Sequence, residues 1–379
     1  MKNKIAFSMM LLALTAVTIQ TVSAQDDLLF RKRVLSSTWN SFLYGDAIVI
    51  IGEVQKAGAV GIPVVAAGIG ALVPLLTNES RPITTNQLML TNHGQTIGWA
   101  HGFGLSMLIF GDSLFESNNN YKVAVGMGAA TSIGLGFLGK SLGKNKDWSE
   151  GQVALYRHYG WVGPMTTSCI AFAFSDNPRV YGGSVLLGGA AGYLIGNQVN
   201  NWHEFSRGDV RATQALTVMT GILGYCVFSD VTFGGDDVDF KQTGWLIPAA
   251  GFVAGTAAGH LWLKDANLTP RQGMTTIYAA SGGAILGLGV ALLINSDDFT
   301  PWYTIPYATS LGAYAVAVQA LKKKNNSSAF FQENKGGNKW DFAFMPQNLV
   351  LNNMLNKNGC MINGRSVQMQ PLFAATVTF

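Results

Sequence analysis

This chain has 379 residues, of which only 12% are charged and 45 are glycine. A soluble domain usually carries about 25% charged residues, so a polar shell around this chain would be hard to build. The net charge is only +4 and no basic patch is interleaved with aromatic residues, which argues against nucleic acid as a partner. The three cysteines are widely spaced without a CxxC pair, which argues against a disulfide framework or a zinc site.

Residues 1–24 have the pattern of a cleavable secretory signal. Lys2 and Lys4 precede an apolar core at residues 5–17, and the small residues Val22, Ser23 and Ala24 stand before the expected cleavage point. An uncleaved first membrane helix is the alternative. Residues 25–41 follow as an N-terminal segment with three consecutive basic residues at positions 31–33.

A membrane domain is predicted over residues 42–321. Its leading span is residues 58–76, which is close to the length of about 20 residues that crosses a bilayer. A two-armed unit then recurs four times, and its first arm opens on a hydroxyl residue suited to cap a helix and closes on an aspartate. The opening residues are Thr91, Ser149, Ser206 and Thr269, and the closing residues are Asp112, Asp176, Asp230 and Asp297. The glycines that follow the opening residues are 57, 57 and 65 residues apart: Gly94, Gly151, Gly208 and Gly273.

The second arm of each unit carries small residues four apart, which places them on one helical face. The series are Gly126, Ala130 and Gly134; Ser184, Gly188, Gly192 and Gly196; Gly251, Gly255 and Gly259; and Ala308 with Gly312. Such a stripe disfavours a helix in water, because each helical Gly costs about 1 kcal/mol relative to Ala. In lipid the same stripe lets two helix backbones touch. We therefore predict an all-α membrane protein of tandem glycine-zipper helical hairpins with about nine spans. A transmembrane β-barrel is the alternative, because residues 123–127 and 133–137 alternate apolar and small residues.

Loop charges predict an orientation. Connections after the leading span and the second arms hold eleven Lys and Arg residues, whereas those after the first arms hold three, together with nine acidic residues. The positive-inside rule then places the C-terminus in the cytoplasm and the protein in the inner membrane after Sec export. The C-terminal residues indicate a different membrane. Residues 322–379 are a polar linker and a strand-like tail, whose every second residue up to the terminal phenylalanine is Phe373, Ala375, Val377 and Phe379. This ending resembles the closing strand of outer-membrane β-barrels, and the resemblance implies the outer membrane instead.

Few residues suggest chemistry. The candidate intramembrane polar site is His101, because an ionisable group within a span is costly; the competing interpretation is a neutral histidine bonded to a neighbouring helix. Arg157 and His158 are expected to reach the interface by snorkelling, and His260 is expected to be interfacial. Asp236, Asp237 and Asp239 are interpreted as turn residues rather than a calcium site, and Cys169 and Cys226 as small apolar side chains at equivalent positions.

No nucleophile elbow, phosphate loop or HExxH motif is present, so we expect no enzyme activity, cofactor or metal. The predicted function is a non-enzymatic structural or assembly component of the bacterial cell envelope, whose partners are the lipid bilayer and other envelope proteins. A small-solute or ion transporter or channel is the alternative. It requires that His101 and four threonines face one cavity: Thr166, Thr167, Thr217 and Thr220. A secreted helical array outside the bilayer is a third interpretation, and it requires a polar face on each second arm.

Overall fold

The computed structural model describes residues 25–77, 83–233, 243–294 and 298–330, together with four short strands between residues 339 and 378. The predicted signal at residues 1–24 lies outside these ranges. So do Asp236, Asp237, Asp239, Asp297 and Phe379.

Helices dominate the described residues, as predicted for an all-α protein. Eleven of them are described: α1 (Gln25–Ile51), α2 (Gly58–Thr77), α3 (Thr85–Phe110), α4 (Ser113–Glu116), α5 (Asn118–Asn145), α6 (Glu150–Phe174), α7 (Pro178–Trp202), α8 (Arg207–Phe233), α9 (Leu246–Leu263), α10 (Pro270–Ile294) and α11 (Thr300–Phe330).

Ten of these helices pair as five antiparallel hairpins: α1 with α2, α3 with α5, α6 with α7, α8 with α9, and α10 with α11. The register is visible in α3 and α5, where Gly94 lies against Leu135, Gly98 against Ser132 and Gly102 against Gly128. The first helix of each pair is called its first arm, and the second helix its second arm.

The first hairpin differs from the predicted single leading span. Helix α1 runs through the expected boundary at residue 42 and packs along α2, where Gly45 meets Pro63. Its polar residues hid this role in the sequence, but they are bonded inside the fold. The Asn40 amide donates to Gln95 Oε1 at 2.9 Å, and the Tyr44 hydroxyl lies 3.0 Å from Ser132 Oγ.

Neighbouring hairpins are joined through their first arms. Helix α3 contacts α6 and α7, and helix α6 contacts α8 and α9. Helix α8 contacts α10, and it also accepts a 3.0 Å hydrogen bond at the Ala212 carbonyl from Tyr314 of α11. Each of the first arms α3, α6 and α8 therefore packs against its own second arm and against the next hairpin.

Capping residues fix where the first arms begin. The predicted caps Ser149, Ser206 and Thr269 are confirmed, because each hydroxyl accepts the amide three residues later at 3.0–3.2 Å. The predicted cap Thr91 is wrong. Helix α3 begins one residue after Thr84, whose side chain accepts the Gln87 amide, and Thr91 lies inside the helix and donates to the Gln87 carbonyl. The arm predicted to open at Thr91 therefore begins about two turns earlier, at Thr85.

Five of the described helices are long and apolar enough to cross a membrane: α2, α5, residues Arg207–Asp230 of α8, α9 and α10. At most 39% of the residues in their apolar windows are buried within the chain, so large apolar side chains face outward. Leu76, Leu261 and Leu293 are 80–87% exposed. This finding supports a membrane location.

The chain divides into two compact units, Met1–Lys323 and Lys324–Phe379. The predicted boundary at residue 321 falls inside α11. Strands β1 (Lys339–Phe344) and β4 (Phe373–Thr378) pair antiparallel, with Phe344 opposite Phe373, and β2 (Met361–Ile362) pairs with β3 (Arg365–Ser366).

Candidate functional site

The predicted helix-packing glycines of α7 face α6. A methyl group at Gly188 would overlap the hydroxyl of Thr167, and one at Gly192 would overlap the carbonyl of Tyr159. A methyl group at Gly196 would lie 3.3 Å from Tyr159 Cβ. The two backbones approach this closely because these positions carry no side chain.

The predicted glycines of α9 face α8 in the same manner. A methyl group at Gly251 would overlap the carbonyl of Thr220, and one at Gly255 would overlap the Thr220 hydroxyl. At Gly259 it would lie 2.7 Å from Thr213 Cγ2. All six glycines therefore lie at contacts between the two arms of one hairpin.

A threonine stands opposite a glycine in three successive hairpins. The pairs are Thr167 with Gly188, Thr220 with Gly255, and Thr309 with Gly287. In each pair the threonine hydroxyl donates at 2.9 Å to the carbonyl four residues earlier in its own helix. The hydroxyl is therefore satisfied, and the glycine makes room for it. This threonine–glycine pairing was not predicted from the sequence. Its signal in the sequence is a threonine on one arm of a hairpin when the other arm carries a glycine stripe.

Two other predicted stripes face away from their partner arms. A methyl group at Gly134 of α5 or at Gly312 of α11 would touch nothing within 4 Å. Helix α5 instead packs on α3 through Gly128, Ser132 and Gly136, which are buried. The prediction for α5 was wrong because a serine occupies one position of the true packing stripe.

His101 lies half-buried on α3. Its Nδ1 is 2.9 Å from the Ile97 carbonyl of the same helix, and its Nε2 faces Gly189 of α7. The ring also lines a cavity of about 370 Å³ between α3, α5, α6 and α7, whose walls are mostly leucine and aromatic side chains. The hydrogen bond to its own helix, rather than to a neighbouring helix, was not predicted.

The four threonines proposed to share a cavity with His101 do not line the cavity that this histidine lines. Thr167 also donates to the Ser184 carbonyl at 2.7 Å, and Thr217 lies 3.0 Å from Thr256 Oγ1. Thr220 packs on Gly255, and the buried Thr166 hydroxyl has no partner among the described residues. These side chains therefore contact different neighbours.

Two buried histidines connect neighbouring helices, and neither was predicted as a packing group. His93 Nε2 is 2.8 Å from the Tyr193 hydroxyl, and His158 Nε2 is 3.3 Å from Thr256 Oγ1. His158 is 3% exposed, so its predicted interfacial position is wrong. The sequence does not indicate this role of His93, because Thr91 and Gly94 predict a helix start around it.

His260 lies in the last turn of α9, but its environment is enclosed rather than interfacial. Its ring stacks on Tyr159 with centroids 5.7 Å apart, and it also contacts His158 and Phe205. Both ring nitrogens are buried without a hydrogen bond among the described residues. The enclosed position of His260 differs from the interfacial position predicted from the sequence.

Consecutive first arms are tied together where they begin. The Asn86 amide donates to the Trp148 carbonyl at 2.6 Å, and Ser206 Oγ donates to the Leu268 carbonyl at 2.6 Å. The buried carboxylate of Asp209 accepts the Leu268 amide at 2.9 Å. These polar groups link one hairpin to the next.

Within the part of the chain that is described, no cluster of three or more His, Cys, Asp or Glu side chains could hold a metal ion. Cys169 is buried beside the Tyr225 hydroxyl at 3.4 Å, and Cys226 is half-buried. No protein-family model, curated protein or solved structure matches this chain.

Proposed function

We propose that this chain is a non-enzymatic structural or assembly component of the bacterial cell envelope, integral to a membrane. The observation that carries the proposal is a separation between two kinds of side chain. Buried polar groups such as Asp209, Thr256 and Ser310 bond to neighbouring segments of the chain, whereas large apolar side chains face outward. A lipid environment suits that outer surface.

The proposed architecture is a series of glycine-zipper hairpins that cross the bilayer. The sequence suggested nine spans, and the pairing of α1 with α2 supports a tenth. With ten crossings, the start of α1 and the end of the last span lie on one side. The basic residues 31–33 then join the other basic connections. A cleaved signal would leave residue 25 outside the cytoplasm, so ten crossings agree with the positive-inside rule only if residues 1–24 are not removed as a secretory signal.

The proposed location is the inner membrane, reached by Sec export, and the outer membrane is the alternative that the terminal phenylalanine suggests. The proposed partners are lipid and other envelope proteins. The transporter or channel alternative has less support, because His101 and the threonines that it required contact different neighbours.

Membrane fractionation with carbonate extraction tests the proposal. We expect the protein to stay in the membrane pellet after carbonate treatment and to sediment with inner membranes. Recovery from the soluble periplasm would refute an integral membrane protein. Recovery with outer membranes would refute the proposed location and leave the helix packing unaffected.

A further inference from the structure

Four basic side chains gather where the first arms begin. They are Lys32 of α1, Arg157 of α6, and Arg207 and Arg211 of α8. Arg157 interacts electrostatically with both Arg207 and Arg211, and so does Lys32. We call these four residues the basic cluster. It joins side chains from three different hairpins.

One carboxylate offsets this charge. Glu150, at the start of α6, accepts a 2.7 Å hydrogen bond from Arg207 Nη1 and acts electrostatically on Lys32 and Arg211. Arg211 Nη1 donates to the Pro270 carbonyl at 2.7 Å, which is a neutral acceptor. Four cations and one anion leave an excess of positive charge.

Donors in the basic cluster also lack acceptors. Arg157 Nε and Arg207 Nε are buried, and neither has a hydrogen-bond partner among the described residues. Removing a charged donor from water without a partner is costly. A negatively charged group in this place would accept hydrogen bonds from these donors and would also offset the excess positive charge.

The chemistry of that acceptor follows from the donors. Guanidinium groups bind phosphate oxygens in pairs and with more direction than ammonium groups. The beginnings of α6 and α8 lie beside the cluster and add the positive ends of two helix dipoles. The backbone of Arg157 is two turns inside α6, about 10 Å from the helix start at 1.5 Å per residue, and helical side chains point back toward the N-terminus.

We infer that the basic cluster binds a phosphate group, carried either by the headgroup of an anionic membrane lipid or by a soluble phosphate. The inference rests on the proposed function only in placing this end of the hairpins at a membrane surface.

The test compares two double variants of equal charge change. Arg157→Gln with Arg211→Gln removes two charges from the cluster, and the control Lys140→Gln with Lys144→Gln removes two exposed charges from α5. Each protein is placed in phosphatidylcholine nanodiscs, and its thermal unfolding is followed on adding phosphatidylglycerol in one arm and inorganic phosphate in the other.

We expect one arm to stabilise the wild type and the lysine control, and the arm that responds identifies the source of the phosphate. The arginine double variant should bind that probe at least about tenfold more weakly, because it loses charge-assisted contacts. A third variant, Arg157→Lys, keeps the positive charge. The probe that stabilises the wild type should stabilise this variant as well, even where the arginine double variant is folded but does not respond.

No stabilisation of the wild type in either arm would overturn the inference, and so would equal responses of the two double variants. Carbonate extraction of the same proteins separates this failure from failure of the proposed function. A protein that stays in the membrane but binds neither probe contradicts only the phosphate site. A soluble protein that responds to phosphate contradicts only the membrane assignment.

Discussion

At the scale of single residues, the decisive feature is the absence of a side chain where two helices touch. Gly255 lies against the Thr220 hydroxyl, whereas Gly282 of α10 has open space around it. The two positions carry the same residue in the same secondary structure. They therefore separate the contribution of packing from that of helix propensity.

Alanine substitutions at these two positions should have opposite effects. Gly255→Ala should destabilise the fold by about 1–3 kcal/mol, because the added methyl group must displace Thr220. Gly282→Ala should be neutral or stabilise by up to about 1 kcal/mol, because alanine is the better helix former. Equilibrium unfolding in mixed micelles measures both. Equal effects of the two substitutions would contradict the packing role of Gly255.

Some of these residues could be predicted from the sequence and others could not. The stripes in α7 and α9 are visible because glycine recurs every fourth residue. The stripe of α5 is not, because Ser132 stands between Gly128 and Gly136. His260 is near a helix end in the sequence, but only the fold shows that Tyr159 and Phe205 enclose it.

At the scale of elements, the hairpins depend on where their first arms begin. Three of the four caps predicted from a hydroxyl followed closely by a glycine are confirmed. Each also has a glutamine or aspartate three residues later whose side chain accepts the backbone amide of the cap, as in a capping box. Thr84 and Gln87 have this pattern as well. The apolar period that should follow them is interrupted by Asn92 and His93, and His93 is buried in the fold rather than exposed in a loop.

Alanine substitutions in α3 test the corrected start. Thr84→Ala should cost about 1 kcal/mol, because it leaves the first turn without its capping acceptor. Thr91→Ala should be close to neutral, because a threonine bonded to the carbonyl four residues back adds little inside a helix. Thermal unfolding of both variants in detergent gives the comparison. A larger loss for Thr91→Ala would restore the original assignment of the cap.

The first hairpin is the element that the sequence concealed most completely. A polar sequence around Asn40 does not look like a membrane arm, since its hydrogen-bond partner Gln95 is 55 residues away. Only tertiary contact reveals that the polar groups are satisfied.

Cross-linking tests the position of α1. In a chain whose three cysteines are serine, Asn40→Cys and Gln95→Cys should be joined by a short bifunctional thiol reagent, because the original side chains are bonded at 2.9 Å. The pair Asp230→Cys and Thr300→Cys is the control, since the original side chains are bonded at 2.7 Å between two later hairpins. Cross-linking of the control pair alone would show that α1 does not pack on α3.

At the scale of the whole molecule, the described helices α1 to α11 form a series of hairpins with two chemically different ends. One end holds the beginnings of the first arms, where Lys32, Arg207 and Arg211 meet. The connections at the other end carry Asp112, Glu116 and Asp176. The proposed orientation, with the basic end in the cytoplasm, follows from this separation.

Cysteine labelling in spheroplasts tests the central claim most directly. Single cysteines replace Lys140 and Arg271 at the basic end and Glu116 and Asp298 at the acidic end, in the chain that lacks other cysteines. A membrane-impermeant maleimide should label Glu116→Cys and Asp298→Cys in intact spheroplasts. Lys140→Cys and Arg271→Cys should react only after lysis. Labelling of all four positions in intact spheroplasts would contradict a series of hairpins that crosses the inner membrane.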